Sequence, residues 1–152
     1  MNKKPQQLSV AVDNAVVKYR YAYSIIAKKF DISYNEMLVL YTLRENGCCT
    51  QKQICESYFA PKQTINNVIT NMKNRGYLQQ SSGLSIGREK VLVLTDCGKQ
   101  FADSFFETLK IVEKKTVAAM GAENVEKLAQ LLYQFDNQLL CSLKEMEDEE
   151  DG

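Results

Sequence analysis

The sequence predicts a mainly helical fold with one small β-ribbon set inside it, and three observations carry that prediction. Apolar residues recur at helical spacing over most of the chain. Between 77 and 94 the period switches to two strand-like runs, Tyr77-Leu78-Gln79-Gln80 and Val91-Leu92-Val93-Leu94, joined by a loop over 81–90 that holds Gly83 and Gly87. Helix start and stop signals stand on both sides of that ribbon. At 152 residues, 45% apolar and 25% charged, the chain suits one globular domain with a real core.

Each element has its own justification. Val12, Val16, Tyr19, Tyr23, Ile26 and Phe30 step by 4, 3, 4, 3 and 4, which draws one stripe along a first helix. Ser33 with Glu36 forms a capping box for a second helix carrying Met37, Leu40 and Leu43, and Asn46-Gly47 ends it. Thr50 with Gln53 repeats that box and opens a short third helix around Ile54. Pro61 suits the first position of a fourth helix, Lys73 and Arg75 suit its last turn, and Gly76 its end. Thr95-Asp96 caps a fifth helix with Phe101, Phe105, Leu109 and Val112 on one face. Gly121 breaks the pattern, and Val125, Leu128, Leu132, Phe135 and Leu139 stripe a final helix. Six acids and no base in 145–152 predict a disordered, solubilising tail.

Composition excludes whole classes of chemistry. The chain has no histidine, which removes serine–histidine and cysteine–histidine catalysis and histidine-ligated metals. No nucleophile–base pair, glycine-rich phosphate loop or carboxylate pair is recognisable, so neither an enzyme nor a cofactor is expected. Five cysteines, an odd number, fit reduced thiols in a cytoplasm. No run of 18 apolar residues spans a membrane, and the first residues lack the apolar segment of a signal peptide. Charge is balanced only on average. Outside the acidic tail nineteen bases face thirteen acids, and 50–90 alone carries +4, a balance suited to a polyanionic partner.

The fourth helix names that partner. Ile65, Val68, Ile69 and Met72 fall within an arc of about 100°, the side to be buried. Gln63, Asn67, Thr70 and Asn74 gather opposite, flanked by Lys62, Thr64, Asn66 and Asn71. Asparagine and glutamine pair bidentately with adenine, and a helix N-terminus suits phosphate. The sequence therefore predicts contact with double-stranded DNA. Gln63, Asn66, Asn67 and Asn71 are the expected base readers, and Thr50, Gln51, Lys52, Lys62, Thr64, Thr70, Lys73 and Lys90 the expected phosphate contacts. The bland alternative is a solvated helix face that happens to be rich in amides.

Residues 50–95 resemble the winged helix-turn-helix of MarR-type bacterial transcription regulators. The resemblance is carried by Pro61-Lys62-Gln63-Thr64-Ile65-Asn66, by Gly76-Tyr77-Leu78, and by Arg88 ahead of Leu94-Thr95. The flanking helices fit the same architecture. What the resemblance implies is one domain over 1–144, with a winged DNA-binding lobe at 33–98 and dimerisation helices at 8–30 and 99–144. It further implies a homodimer, an Arg88 that enters the minor groove from the wing, and a repressor released by a small-molecule effector. One departure is Ile86, where the family usually has an acid two residues before that arginine. The long stripes at both ends argue independently for self-association, because a small winged core cannot cover them. Two-fold symmetry then predicts a pseudo-palindromic operator.

Three further readings stay open in the sequence. Cys48, Cys49 and Cys55 would suit thiol-based redox or metal sensing, against a plain role as small apolar residues and incidental thiols. Tyr19, Tyr21, Tyr23 and Tyr34 would suit an aromatic effector, against core or interface packing. A winged helix also serves some proteins as a docking module, with little salt dependence.

Overall fold

Over residues 4–150, which the computed structural model describes, the stripes and the ribbon become six helices and a three-stranded antiparallel sheet. The helices are α1 Pro5–Lys29, α2 Tyr34–Asn46, α3 Gln51–Tyr58, α4 Lys62–Asn74, α5 Asp96–Met120 and α6 Ala122–Glu150. The strands are β1 Cys49–Thr50, β2 Leu78–Ile86 and β3 Glu89–Leu94, in the order β1-β3-β2.

Local chemistry sets most boundaries. Ser33 Oγ accepts from Glu36 N while the Glu36 carboxylate accepts from Ser33 N, and Thr50 and Gln53 repeat this reciprocal cap on α3. Gly47, Gly76 and Gly121 follow α2, α4 and α5 with φ of 74°, 76° and 83°, conformations that favour glycine. Thr95 caps α5 as expected, its hydroxyl accepting from Gly98 N and donating to Gly76 O. At the end of α3, however, the left-handed residue is Phe59, at φ 50° and ψ 36°. A non-glycine residue there costs about 1–2 kcal/mol.

The ribbon is longer than the sequence suggests. Strand β2 continues to Ile86 and β3 begins at Glu89, so most of the expected loop is strand, paired at Ser85, Ile86, Glu89 and Lys90, and only Gly87-Arg88 turns. The register is Leu78↔Leu94, Gln79↔Val93 and Gln80↔Leu92, then Ser85↔Lys90 and Ile86↔Glu89 after an irregularity between Gln80 and Ser85. Strand β1 pairs Cys49 with Leu92 and Thr50 with Val91.

The chain divides into two compact units after Glu107. In the first, Leu40, Leu43, Ile54, Ile65, Met72, Val91 and Phe105 are fully buried, each such side chain contributing roughly 1.5–3 kcal/mol. Aromatic rings extend that core. Phe30 meets Phe105 edge-on at 5.2 Å, and Tyr77 stacks on Phe101 at 4.4 Å. Gly98 permits the close approach of α5 to Tyr77, since a Cβ there would lie 2.0 Å from the Tyr77 carbonyl oxygen. In the second unit, Leu109 alone is buried among the described residues, and Leu128, Leu131, Leu139, Leu140, Leu143 and Met146 are exposed.

The acidic end corrects the sequence reading. Residues 145–150 continue α6 as helix instead of forming a disordered tail, while Asp151 and Gly152 lie outside the described residues. Glutamate is a good helix former, and extending a nucleated helix costs little. Like-charge repulsion along the helix costs only a few tenths of a kcal/mol per pair.

Candidate nucleic-acid interface

Helix α4 turns the expected faces inward and outward. Ile65, Val68, Ile69 and Met72 are buried, and Lys62, Gln63, Asn66, Asn67, Thr70, Lys73 and Asn74 are exposed, with Thr64 half-buried. On the outer face the Gln63 amide donates to Asn67 Oδ1 at 2.9 Å, one turn along. This bond uses one Gln63 N–H and one lone pair of the Asn67 oxygen, so Asn67 keeps its N–H donors and Gln63 its oxygen. Pro61 precedes the helix, so its missing N–H falls among groups that would lack partners anyway.

Helix α3 braces the entry of α4. Gln51 Nε2 donates to the Lys62 carbonyl at 3.2 Å, which commits that amide to positioning the first turn of α4. Lys52 is exposed and lies 3.9 Å from Glu56 on the same helix, a solvent-screened pair worth little. Thr50 is a correction. It is 1% exposed, because it caps α3 and pairs with Val91 at once, so its hydroxyl faces Gln53 N and no surface remains for a phosphate.

Asn71 is set apart from the other amides. Its Nδ2 donates to Glu36 Oε1 at 2.6 Å, and the second Glu36 oxygen accepts from Ser33 N at 2.7 Å. Arg75 lies 3.9 Å from the same carboxylate, donates to the Asp31 carbonyl at 2.6 Å and covers the Tyr77 ring at 4.9 Å. Glu36 is 5% exposed, and a carboxylate so buried is tolerable only with such partners. Asn71 thus serves to join α4 to α2. Glu36 and Arg75 are the positioning residues that sequence reasoning missed. The capping pattern exposes Glu36 as a cap, but its bond to Asn71 spans 35 residues and has no local signature.

The wing holds the other cations. Arg88 stands exposed in the turn after Gly87, and Lys90 is exposed on β3 opposite Ser85. Ile86, where the family usually has an acid, is 45% exposed and pairs with Glu89.

Cys49 is buried in β1, and its thiol is pushed up to about 12 by burial first and by Cys48 second, which suppresses the thiolate that metals and oxidants need. Among the described residues no group of three histidine, cysteine or acidic side chains could hold a metal ion, so Cys48, Cys49 and Cys55 are not brought together as ligands. Tyr19 and Tyr23 face each other at 4.7 Å, and Arg20 covers the Tyr34 ring at 5.0 Å. Burial raises the Tyr34 pKa, with Tyr19 adding to it and Arg20 opposing. Two open clefts of about 490 and 500 Å³ lie elsewhere, one beside Thr95 and Lys99, the other beside Glu36 and Arg75, and neither is lined by these tyrosines.

No helix among the described residues is long and apolar enough to cross a membrane. A MarR family model matches residues 30–84, from the end of α1 into the ribbon. The HTH-type transcriptional regulator YwoH of Bacillus subtilis is 30% identical over 119 residues, covering 73% of this chain and 85% of that protein. The structure of a MarR family regulator from Neisseria meningitidis superposes with a TM-score of 0.77 at 27% identity, over 95% of this chain and 99% of that one. NadR in complex with 4-hydroxyphenylacetate shares the fold, with a TM-score of 0.72 at 16% identity over 89% and 96% of the two chains. The chain belongs to the MarR family of DNA-binding transcription regulators.

Proposed function

We propose that this regulator is a cytoplasmic, homodimeric repressor that binds a pseudo-palindromic operator and leaves it when an aromatic acid binds. One observation carries the DNA half of the reading: the exposed Gln63–Asn67 amide pair on a helix whose opposite face is sealed. Gln63, Asn66 and Asn67 read base edges in the major groove. Lys52, Lys62, Thr64, Thr70, Lys73 and Lys90 hold phosphates, and Arg88 reaches the minor groove from the wing. Asn71 and Gln51 tie the helix to α2 and α3.

The exposed apolar side chains of α6 support a dimer, because surfaces of this kind mark interfaces. Two-fold symmetry would set the two α4 helices about one turn of DNA apart. The effector half leans on NadR, whose structure holds 4-hydroxyphenylacetate.

Selection of bound fragments from genomic DNA with purified protein tests the reading. A shared inverted repeat is expected, released by hydroxylated aromatic acids. Asn67→Ala should relax sequence preference with little change on random DNA. Lys62→Ala should weaken both and flatten the salt dependence by roughly 0.9 per lost phosphate contact, hence by about two units in a dimer. Equal loss on specific and random DNA in both variants would refute this division of roles.

A further inference from the structure

Phe59 combines two costs that nothing among the described residues offsets. Its side chain is 91% exposed, the highest value for a large apolar residue among those described. Its backbone is left-handed, and Cys55 O accepts from both Phe59 N and Ala60 N, so Phe59 fills the position after a helix that glycine fills most readily. Glycine there would remove both the strain and the exposed ring. A left-handed backbone held at a non-glycine residue is local strain of the kind that persists at functional positions.

Its place in the fold identifies the partner. Phe59 sits between α3 and α4, two residues before Pro61 and three before Lys62. Three residues of chain reach at most about 11 Å, close to the roughly 12 Å width of a major groove. Wherever the first turn of α4 meets the duplex, the Phe59 ring is therefore within reach of the groove rim. Exposed Lys62 follows Phe59 by three residues and exposed Glu56 precedes it by three, so the cation lies on the α4 side, where a polyanion would be met. Base edges and sugars offer apolar surface there, and phenylalanine is among the residues that contact the thymine methyl.

We propose that Phe59 is a DNA-contacting residue, its ring laid against deoxyribose and thymine methyl at the rim of the groove that α4 enters. The inference rests on the DNA-binding reading of α4. The full-length protein carrying Phe59→Gly, Phe59→Ala or Phe59→Leu tests it, with operator affinity and melting temperature measured together. Phe59→Gly should melt a few degrees higher, because the backbone strain is relieved. It should bind operator about tenfold more weakly, as expected from losing roughly 60 Å² of buried ring surface in total across the two subunits. Phe59→Ala should lose the same affinity, and Phe59→Leu should keep most of it. The opposite signs of the two readouts are the signature, since a packing residue would lose both together.

Unchanged operator affinity in the glycine and alanine variants overturns the proposal, and so does a melting temperature that falls with affinity. Variants that bind operator normally but fail to control transcription with purified polymerase would assign the ring to a protein instead. Wild-type protein that binds no duplex sinks the DNA reading itself, and this inference with it.

Discussion

The winged lobe and the C-terminal helix carry similar apolar stripes and use them in opposite ways. In the lobe, α2, α3 and α4 are short, and each turns its stripe onto a shared centre where Leu40, Ile54, Ile65 and Met72 lose all contact with water. In α6, 29 residues long, Leu128 and Leu139 of the expected stripe remain 54% and 50% exposed. Helical spacing identifies the apolar face of an element, but not what covers it. In the lobe the cover is the same chain; for α6 we propose a second copy.

The sharpest way to break this contrast is to delete one large side chain from the covered core. Leu40→Ala empties a fully buried position on α2, inside the lobe. A loss of about 4 kcal/mol is expected, read as the shift of the urea midpoint at constant slope. A loss below about 1 kcal/mol would mean that the lobe has no such core. Next in size is the effect on the uncovered face. The double variant Leu128→Asp with Leu139→Asp should raise the dimer dissociation constant at least about 100-fold, because each charge would be desolvated twice in a symmetric interface. Sedimentation should show monomers whose helix content matches wild type. Dimers that persist unchanged would remove α6 from the interface.

How much of this was legible in the sequence follows the same division. Features set by near neighbours were readable: the two capping boxes, the glycine stops at Gly47, Gly76 and Gly121, and the buried face of α4. Distant pairings were not. Strand β1 is two residues long and exists only through Leu92 and Val91, so it has no period of its own to detect. That pairing also hides Thr50, which the local pattern shows as a polar residue at a helix start and hence as a phosphate contact. Asn71 is as exposed as its neighbours, and nothing local shows that Glu36 of α2 accepts from it. Gly98 reads as an unfavourable residue in a helix, and only the Tyr77 carbonyl explains it. Phe59 is legible as a residue but not as a conformation, because nothing local predicts φ 50° for an aromatic.

The smallest expected effect sharpens the comparison at a single atom type. Cys49 is sealed in the lobe, whereas Cys141 is exposed on α6. A thiol reagent at pH 8 should modify Cys141 while Cys49 stays intact until the fold opens. Burial raises the Cys49 pKa from 9.0 to about 12, so the folded protein keeps a proton that the unfolded chain releases. Stability from this group is thus complete below pH 9 and declines as pH climbs toward 12. The upper bound is about 1.4 kcal/mol per pH unit for one thiol. Other groups titrate in the same window, so the informative quantity is wild type minus Cys49→Ala. The difference in unfolding free energy should be flat from pH 7 to 9 and shrink above it. A parallel course for both proteins through pH 11 would show that water reaches the thiol, and with it the sheet that joins β1 to the wing.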